Sequence, residues 1–408
     1  MKKHVEHLSG VVPLVHDMCV DSCTAFTGPF KDLEECYYCS KLHYENGRPR
    51  HQFYTIPIGP IIQALYASPA SAKNMQHHKE ATQRILEYAQ THGGRLEMYN
   101  DVYCGKEYLD TVRDGRIKNG DTLISMSMDG TQLFRDKSLD CWMFIYLFYN
   151  LLPDLRYKKA YVVPGGTVEG PNKPKNIDSF LFPAVYHISA LQKEGLQVWD
   201  AYRCQHFTDI PFFGYGTADG PAMASMSGMV GCHGKCGCHL HCKCQGRRRE
   251  NDGHYYPAMA KPMDYSVHGS DHPDITFSDL HHFRQGIDMW YNDGIKKLAG
   301  ARNMVQYQAI RLETGLCRPT IFSGLQHSLG VPQMFVMDIM HLVSINDPDL
   351  LLDLWRGTLQ HYAPDKKEDW EWFVLKGKIW KAHRETVTRA TPYLPSSYQV
   401  MHNGLWKR

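Results

Sequence analysis

Helix-like spacing of apolar residues marks the first third of the chain, after a short loop-rich start. Ser68-Pro69 is typical of an N-cap followed by proline at the first helical position. From Met75 to Ala89, apolar residues recur at roughly helical spacing, and Gly93-Gly94 is typical of a helix end. We therefore expect a small all-α packing region before residue 120.

The pattern changes to short apolar segments after residue 120. Residues 121–129 partly alternate and end in a carboxylate, which predicts a strand. Further strands are expected over residues 139–151, 159–164 and 196–201, with a helix over 176–195. Three strands, a helix and another strand match the first half of a ribonuclease-H-like α/β fold.

Composition limits the class of protein but not its activity. The chain has 408 residues, 43% hydrophobic and 22% charged, which is typical of a globular protein with two or three domains. A net charge of +2 is too balanced to indicate nucleic acid by itself. The N-terminus lacks the features of a signal peptide, and the most apolar stretch, 139–152, is too short to span a bilayer. We expect a soluble intracellular protein without membrane contact.

Cysteine placement indicates metal binding. Four of the thirteen cysteines lie between residues 19 and 39, in the pattern Cys19-x3-Cys23 followed by Cys36-x2-Cys39. Two such pairs on tight turns can place four thiolates around one tetrahedral zinc ion, as in a zinc ribbon. The alternative is four buried thiols that are close by chance.

A second cluster spans residues 231–244 (GCHGKCGCHLHCKC), with five cysteines and three histidines. It offers more ligands than one zinc ion uses, so Cys238 and Cys242 are the preferred pair and the others stay open. Metal binding would supply folding energy to a segment with few large apolar residues. Reactive thiols without a metal are the alternative.

Two aspartates are candidates for phosphodiester chemistry. Asp129 closes the predicted strand before Gly130, and Asp219 lies in the turn at 217–221. Carboxylates from two strand ends can hold a pair of divalent ions that activate an attacking oxygen and stabilise the leaving one. Taken singly, a turn aspartate is usually a turn former.

Asp338-x-x-His341 is a further candidate site. On a helix, residues three apart share a face, so both side chains could reach one ion or phosphate. A buried histidine that is hydrogen-bonded near a helix start is the alternative.

Several segments, in this order, resemble the transposases of the CACTA (En/Spm) superfamily, especially those of fungi. The resemblance covers nearly the whole chain and is carried by residues 36–43 (CYYCSKLH), 129–134 (DGTQLF), 170–180, 219–228, 237–242 (GCHLHC) and 337–342 (MDIMHL). It implies a ribonuclease-H-like enzyme with a DDE triad for cut-and-paste transposition.

The resemblance also implies residue roles. Asp129 falls on the first position of the triad and Asp219 on the second, with Asp209 as a rival for the second. Cys238 and Cys242 fall on a paired-cysteine motif, although their spacing is three rather than two. Asp338 and His341 fall on an Asp-x-x-His motif. Mg²⁺ is then the expected catalytic ion, since it prefers oxygen ligands, and Zn²⁺ the structural one.

The third acid of the triad is expected after a tract like residues 392–397 (PYLPSS), where this sequence has no acidic residue. Glu371 and Glu385 lie upstream and are expected to be surface charges. We therefore expect an incomplete or decayed copy of a transposase, and whether it is an active enzyme stays open. The alternatives are a non-catalytic zinc protein that binds DNA or a protein, and a metal-dependent nuclease unrelated to transposition.

The resemblance further implies transposon-end DNA as the partner, nuclear localisation and a possible homo-oligomer. The expected divisions are a zinc-ribbon-like region, a helical region, the first half of the core, a Cys/His-rich insertion and a helical C-terminal part of the core. Their predicted boundaries are 1–55, 56–120, 121–219, 220–335 and 336–408.

Overall fold

A computed structural model describes residues 10–118, 120–132, 140–238, 241–261, 272–361 and 366–393. The chain forms two compact units, Met1–Met337 and Asp338–Arg408, which are described separately. The α-helices of the first unit are α1 (Ile58–Tyr66), α2 (Pro69–Asn74), α3 (His77–Thr91), α4 (Lys106–Arg113), α5 (Pro153–Arg156), α6 (Ile177–Glu194), α7 (Gly220–Ser227), α8 (Asp279–Arg284), α9 (Ile287–Ala299) and α10 (Met304–Thr314).

Strands in the described part of this unit form one large mixed sheet and two small hairpins. They are β1 (Leu14–Met18), β2 (Tyr44–Glu45), β3 (Arg48–Pro49), β4 (His51–Thr55), β5 (Leu123–Gln132), β6 (Asp140–Phe148), β7 (Val163–Gly170), β8 (Leu196–Asp200), β9 (Gln205–Asp209), β10 (Phe212–Ala218) and β11 (Phe335–Met337). The large sheet has the order β1-β4-β7-β6-β5-β10-β11. Its neighbours are antiparallel from β1 to β5, and β10 and β11 run parallel to β5.

The central strand β5 follows from its alternating pattern. Ile124, Met126 and Met128 are almost fully buried on one face of the sheet. Serines 125 and 127 and then Asp129 alternate with them, so they lie on the other face. The strand continues to Gln132, so Asp129 lies within it. The sequence prediction had placed Asp129 at the end of the strand.

The strand that follows β5, β6 and β7 in the large sheet is β10, not the predicted strand at 196–201. Residues 196–200 do form a strand, but β8 pairs with β9 in a separate hairpin. The glycines in β10 weaken a strand pattern in sequence, and the packing around one of them leaves little room for a side chain. A Cβ at Gly216 would lie 3.2 Å from the Met226 methyl carbon and 3.3 Å from the Phe335 ring.

The predicted helices are largely confirmed. Ser68 caps α2 through its side chain, and a break at Met75 and Gln76 separates this helix from α3. Asn176 caps α6 and Gly195 ends it. The prediction at 159–164 is shifted, because β7 begins only at Val163.

The N-terminal segment contributes strands as well as loops. β1 and β4 extend the large sheet beyond β7, and the cysteine-containing loop joins them. α6 packs against the sheet through Phe180, which meets Phe53 of β4 edge to face at 5.1 Å between ring centroids. The cysteine loop is thereby attached to the main core.

The second unit is helical where it is described. A π-helical segment, Met340–Asn346, leads into α11 (Asp347–Arg356), and α12 spans Gly377–Ala390. None of the helices in the described ranges of the chain is long and apolar enough to cross a membrane.

Candidate functional site

Asp129 and Asp219 meet at one end of the large sheet. The parallel register of β5 and β10 pairs Thr217 with Ser127 and Ala218 with Met128. Each aspartate directly follows one member of the last pair, Ala218 and Met128, and neighbouring strands lie about 4.8 Å apart. Because side chains alternate along a strand, both carboxylates belong to the face opposite Met128 and Ala218.

Local structure explains the position of Asp219. It is the N-cap of α7, and its Oδ1 accepts a hydrogen bond from the Ala222 amide at 2.7 Å. Pro221 in the first turn has no amide hydrogen to satisfy. A carboxylate has about four lone-pair positions, so capping leaves Asp219 able to bind a cation. Asp219 is half-buried and Asp129 is exposed.

Two hydroxyl residues that the sequence prediction missed lie beside this pair. Ser127 and Thr217 are register partners two positions before the carboxylates, so they lie on the same face of the sheet. Both are half-buried. The alternating pattern of residues 123–129 already places Ser127 on the same face as Asp129. Its pairing with Thr217 could be found only from the position of β10 in the sheet.

Asp209, the rival carboxylate, lies at the opposite end of the sheet. Its oxygens accept hydrogen bonds from the Thr122 amide at 2.8 Å and the Thr122 hydroxyl at 2.6 Å. Thr122 comes seven residues before Asp129, which corresponds to roughly 20 Å along a strand. Burial raises the pKa of Asp209 to about 7. Asp209 therefore links the segment before β10 to the start of β5 in the core, far from Asp129.

Four cysteines come together as the sequence predicts. One sulfur from each of Cys19, Cys23, Cys36 and Cys39 lies within 4.8 Å of the others, and three of the four residues are buried. Of the residues that the structure describes, this is the one group of three or more such donors that could hold a metal ion. The buried four-cysteine group is suited to a metal such as zinc.

The surroundings act differently on the ionisation of three of these thiols. Burial raises the pKa of Cys19 to about 11 and raises the pKa of Cys23 as well. Burial also opposes ionisation of Cys39, but hydrogen bonds from the Lys41 amide and the neighbouring thiols outweigh it and lower its pKa. A bound cation would remove the repulsion among these thiolates, since metal coordination deprotonates thiols.

The four-cysteine loop is fixed to the core from two sides. Ser179 in α6 accepts a hydrogen bond from the Ala25 amide at 2.8 Å. Gly170 at the end of β7 packs against Ser22, and a Cβ at Gly170 would lie 2.6 Å from the Ser22 Cβ. Only glycine permits this approach, so the loop and the sheet form one packed structure.

The second cysteine cluster lies beside α7. Cys242 is buried and Cys238 is half-exposed, and both line a small cavity with Cys236. The hydrogen bond with the Cys238 sulfur, and then burial, raise the pKa of Cys242. His239, in the same motif, lies outside the described residues. Metal binding by Cys238 and Cys242 stays a prediction.

Asp338 and His341 contact each other at the start of the second unit. His341 Nδ1 and Asp338 Oδ2 are 2.7 Å apart, and Asp338 Oδ1 accepts hydrogen bonds from the Met340 and His341 amides. Asp338 thus precedes the helical turn rather than sharing its face with His341. His341 is half-buried, and the metal role of the two residues stays a prediction. Glu371 and Glu385 are exposed.

Comparison with known proteins adds one finding. No curated protein matches the chain. Residues 113–260 match the model of the Transposase family tnp2. This range contains Asp129, Asp219, Cys238 and Cys242, and this part of the chain is therefore similar to the transposases of that family.

Proposed function

We propose that the protein derives from a DNA transposase of the CACTA (En/Spm) type and uses Asp129 and Asp219 as two members of a DDE triad. The observation that carries the proposal is their neighbouring position on parallel strands, within the range similar to the tnp2 family. A third acid is not assigned.

The strand order supports a ribonuclease-H-like core. Three antiparallel strands, β5 to β7, are followed by α6, and β10 then returns parallel to β5 on its other side. β11 continues the parallel part. This is the element order expected for that fold, with β10 in the role first given to 196–201.

Carboxylates at this sheet end fit a hard divalent cation such as Mg²⁺, which takes oxygen ligands. When bound by Asp129 and Asp219, such ions supply Lewis-acid stabilisation of the phosphodiester oxygens during hydrolysis and strand transfer. The chain contributes the fixed spacing of β5 and β10 and the α7 cap that orients Asp219. Ser127 and Thr217 provide polar groups beside the pair.

Zinc is the proposed ion for the Cys19, Cys23, Cys36 and Cys39 group, and Cys238 with Cys242 is proposed as a second, incomplete ligand set. Asp338 and His341 are retained as a proposed motif of the second unit. The five divisions predicted from the sequence, the DNA partner and nuclear localisation belong to the same proposal.

Cleavage of DNA tests the proposal. The full zinc-loaded chain is incubated with Mg²⁺ or Mn²⁺ and a duplex carrying the candidate terminal repeats that flank its gene. We expect cleavage by the wild type, its loss in D129N and D219N, and its retention in D209N, which removes the rival carboxylate. Cleavage that survives in both D129N and D219N, or is lost in D209N alone, contradicts the assignment. Joining of the cleaved end to a target DNA separates a transposase from a simple nuclease.

The second candidate is a non-catalytic zinc protein that binds DNA. The four-cysteine group favours it, because the group is geometrically complete and its folding role needs no carboxylate. A folded, zinc-loaded chain that binds the same DNA without cleaving it in any divalent ion would support this candidate instead.

A further inference from the structure

A short basic segment leaves the large sheet beside the four-cysteine loop. Residues 171–176 (PNKPKN) join β7 to α6 and contain two lysines and no acid. Lys173 and Lys175 are both exposed. The modest charge of the whole chain conceals this local concentration of positive charge.

Each lysine lies over an aromatic ring. The Lys173 ammonium is 4.8 Å from the centre of the Trp142 ring, and the Lys175 ammonium is 5.7 Å from the centre of the Tyr38 ring. Tyr37 is next to Tyr38, with ring centroids 4.2 Å apart. The two tyrosines are 47% and 43% exposed, so their rings remain accessible from outside.

Hydrogen bonds hold this segment against the four-cysteine loop. The Lys175 and Asn176 amides donate to the Cys23 carbonyl oxygen at 3.0 and 2.9 Å. The Asn176 side chain donates to the Tyr37 hydroxyl at 2.8 Å. The positions of the lysines and tyrosines therefore depend on the same loop that holds the candidate zinc ligands.

These residues lie at the carboxylate end of the sheet. β7 ends at Gly170, which pairs with Asp140, and Trp142 pairs with Gly130, the residue after Asp129, so the Trp142 side chain shares this end of the sheet but lies on the face opposite Asp129. On the other side, Arg318 donates to the carbonyl oxygen of Ser225 in α7, the helix that Asp219 caps.

We infer that Tyr37, Tyr38, Trp142, Lys173 and Lys175, the aromatic–lysine strip, form a DNA-binding surface for an unpaired strand leaving the carboxylate pair. Exposed rings stack on bases of any sequence, and lysines beside them neutralise the phosphates of the same strand. The inference rests on the proposed function for its choice of DNA, and it assigns a contact surface that the carboxylates do not supply.

Binding without cleavage tests the strip. Fluorescence anisotropy is measured in Ca²⁺ at several salt concentrations, on a duplex with a ten-nucleotide 3′ overhang and on the same duplex with blunt ends. In K173Q/K175Q, we expect affinity for the overhang duplex to fall at least about ten-fold at 0.1 M salt. The slope of log K against log salt should fall by about 1.4, since each contact to a single strand contributes about 0.7.

The matched control is K158Q/K159Q, which removes two exposed lysines from the β6–β7 connection at the other end of the sheet. We expect it to bind like the wild type. Equal loss in both double variants means non-specific electrostatics and overturns the inference, as does no loss in K173Q/K175Q. Zinc content equal to the wild type is required in each variant, so that loss of the loop is not mistaken for loss of contacts.

Removal of a ring tests stacking separately. We expect Y38A to reduce the preference for the overhang duplex over the blunt one, whereas Y99A, which removes another exposed tyrosine, keeps it. An unchanged preference in Y38A overturns the stacking role. If the chain cleaves DNA but its binding does not depend on the strip, the inference fails and the proposed function stands. If binding depends on the strip but no DNA is cleaved, the inference stands and the proposed cleavage fails.

Discussion

Asp129 on β5 and Asp219 after β10 occupy adjacent places in a parallel ladder, each one residue beyond the paired Met128 and Ala218. They come from positions ninety residues apart in the sequence. Two carboxylates at neighbouring backbone positions can share a divalent cation. The relationship therefore has a consequence for ion binding that can be measured without any DNA.

Divalent ions should stabilise the wild type through this pair. We expect saturating Mn²⁺ to raise the melting temperature of the zinc-loaded chain by about 5 °C, and D129N and D219N to lose most of that rise. Differential scanning fluorimetry with and without Mn²⁺ measures it. An ion-induced rise of equal size in both Asn variants would show that the stabilising ion binds elsewhere.

A pair of substitutions at Asp219 separates helix capping from ion binding. Asn caps a helix about as well as Asp, whereas Ala does not, so D219A should lose about 1 kcal/mol of stability in the absence of ions and D219N should lose little. Both should lose the response to Mn²⁺. Urea unfolding in chelator measures the capping effect, and equal stability of the two variants there would contradict the role of Asp219 as the α7 cap.

The four-cysteine group should hold one zinc ion that stabilises the loop between β1 and β4. We expect C36S to lose one zinc per chain and to melt at a lower temperature, because removal of one ligand opens a closed tetrahedral site. C141S is the matched control, since Cys141 is also buried but lies in β6, outside the group. Metal analysis after dialysis measures the zinc content; an unchanged content in C36S would mean that these thiols bind no metal.

Sequence pattern identified the local elements well and their partners less well. The cysteine spacing predicted a group that does assemble, because tight turns fix the distance within each pair. Residues 196–200 form a strand as predicted, but strand pairing is non-local, and nothing in that segment excludes it from the large sheet. β10 was missed because its glycines weaken the strand signal, although one of them, Gly216, lies in close contact with α7 and β11.

The sequence also did not show which residues of the candidate site come together, because that depends on non-local strand pairing. The choice between Asp209 and Asp219 depends on which end of the sheet each occupies, and the sequence shows only that both precede a proline and a glycine. Their environments differ through burial: Asp209 is fully buried against Thr122, and Asp219 is half-buried at a helix start. The basic segment at 171–176 was equally visible in sequence, but only its contacts with Tyr38 and Trp142 indicate a surface.

An ion pair between Arg156 and Asp101 joins the end of α5 to the segment before α4. The Arg156 guanidinium, almost fully buried, donates two hydrogen bonds of 2.8 Å to the Asp101 carboxylate. Burial opposes ionisation of Asp101, but the nearby His77 imidazole and the hydrogen bonds from Arg156 lower its pKa to about 2. Acid would therefore weaken the pair only as the pH falls from about 4 toward 2.

Removal of one partner should cost more than removal of both charges. We expect R156M to lose about 3 kcal/mol, because it leaves the Asp101 carboxylate buried without its counter-ion. R156M/D101N should recover part of that loss. Urea unfolding at pH 7 measures both variants, and if the double variant unfolds at the same urea concentration as R156M, the unpaired charge is not the cause.

Asp209 should make the stability of the protein depend on pH between about 4 and 7. Burial raises its pKa from 3.8 to about 7, with the nearby Asp121 charge acting in the same direction and the Thr122 hydrogen bonds opposing them. A carboxyl group with a raised folded-state pKa contributes its stability below the unfolded-state pKa and loses it as the pH rises through the folded-state value.

D209N cannot ionise, and it retains an oxygen for the Thr122 amide. We expect D209N and the wild type to be similarly stable at pH 4, and D209N to be more stable at pH 8 by roughly 4 kcal/mol. Urea unfolding at each pH measures the difference, with D154N as the control for an exposed carboxylate. A difference that stays constant from pH 4 to pH 8 would mean that Asp209 is ionised throughout, and its bonds to Thr122 would then be those of a stabilised carboxylate.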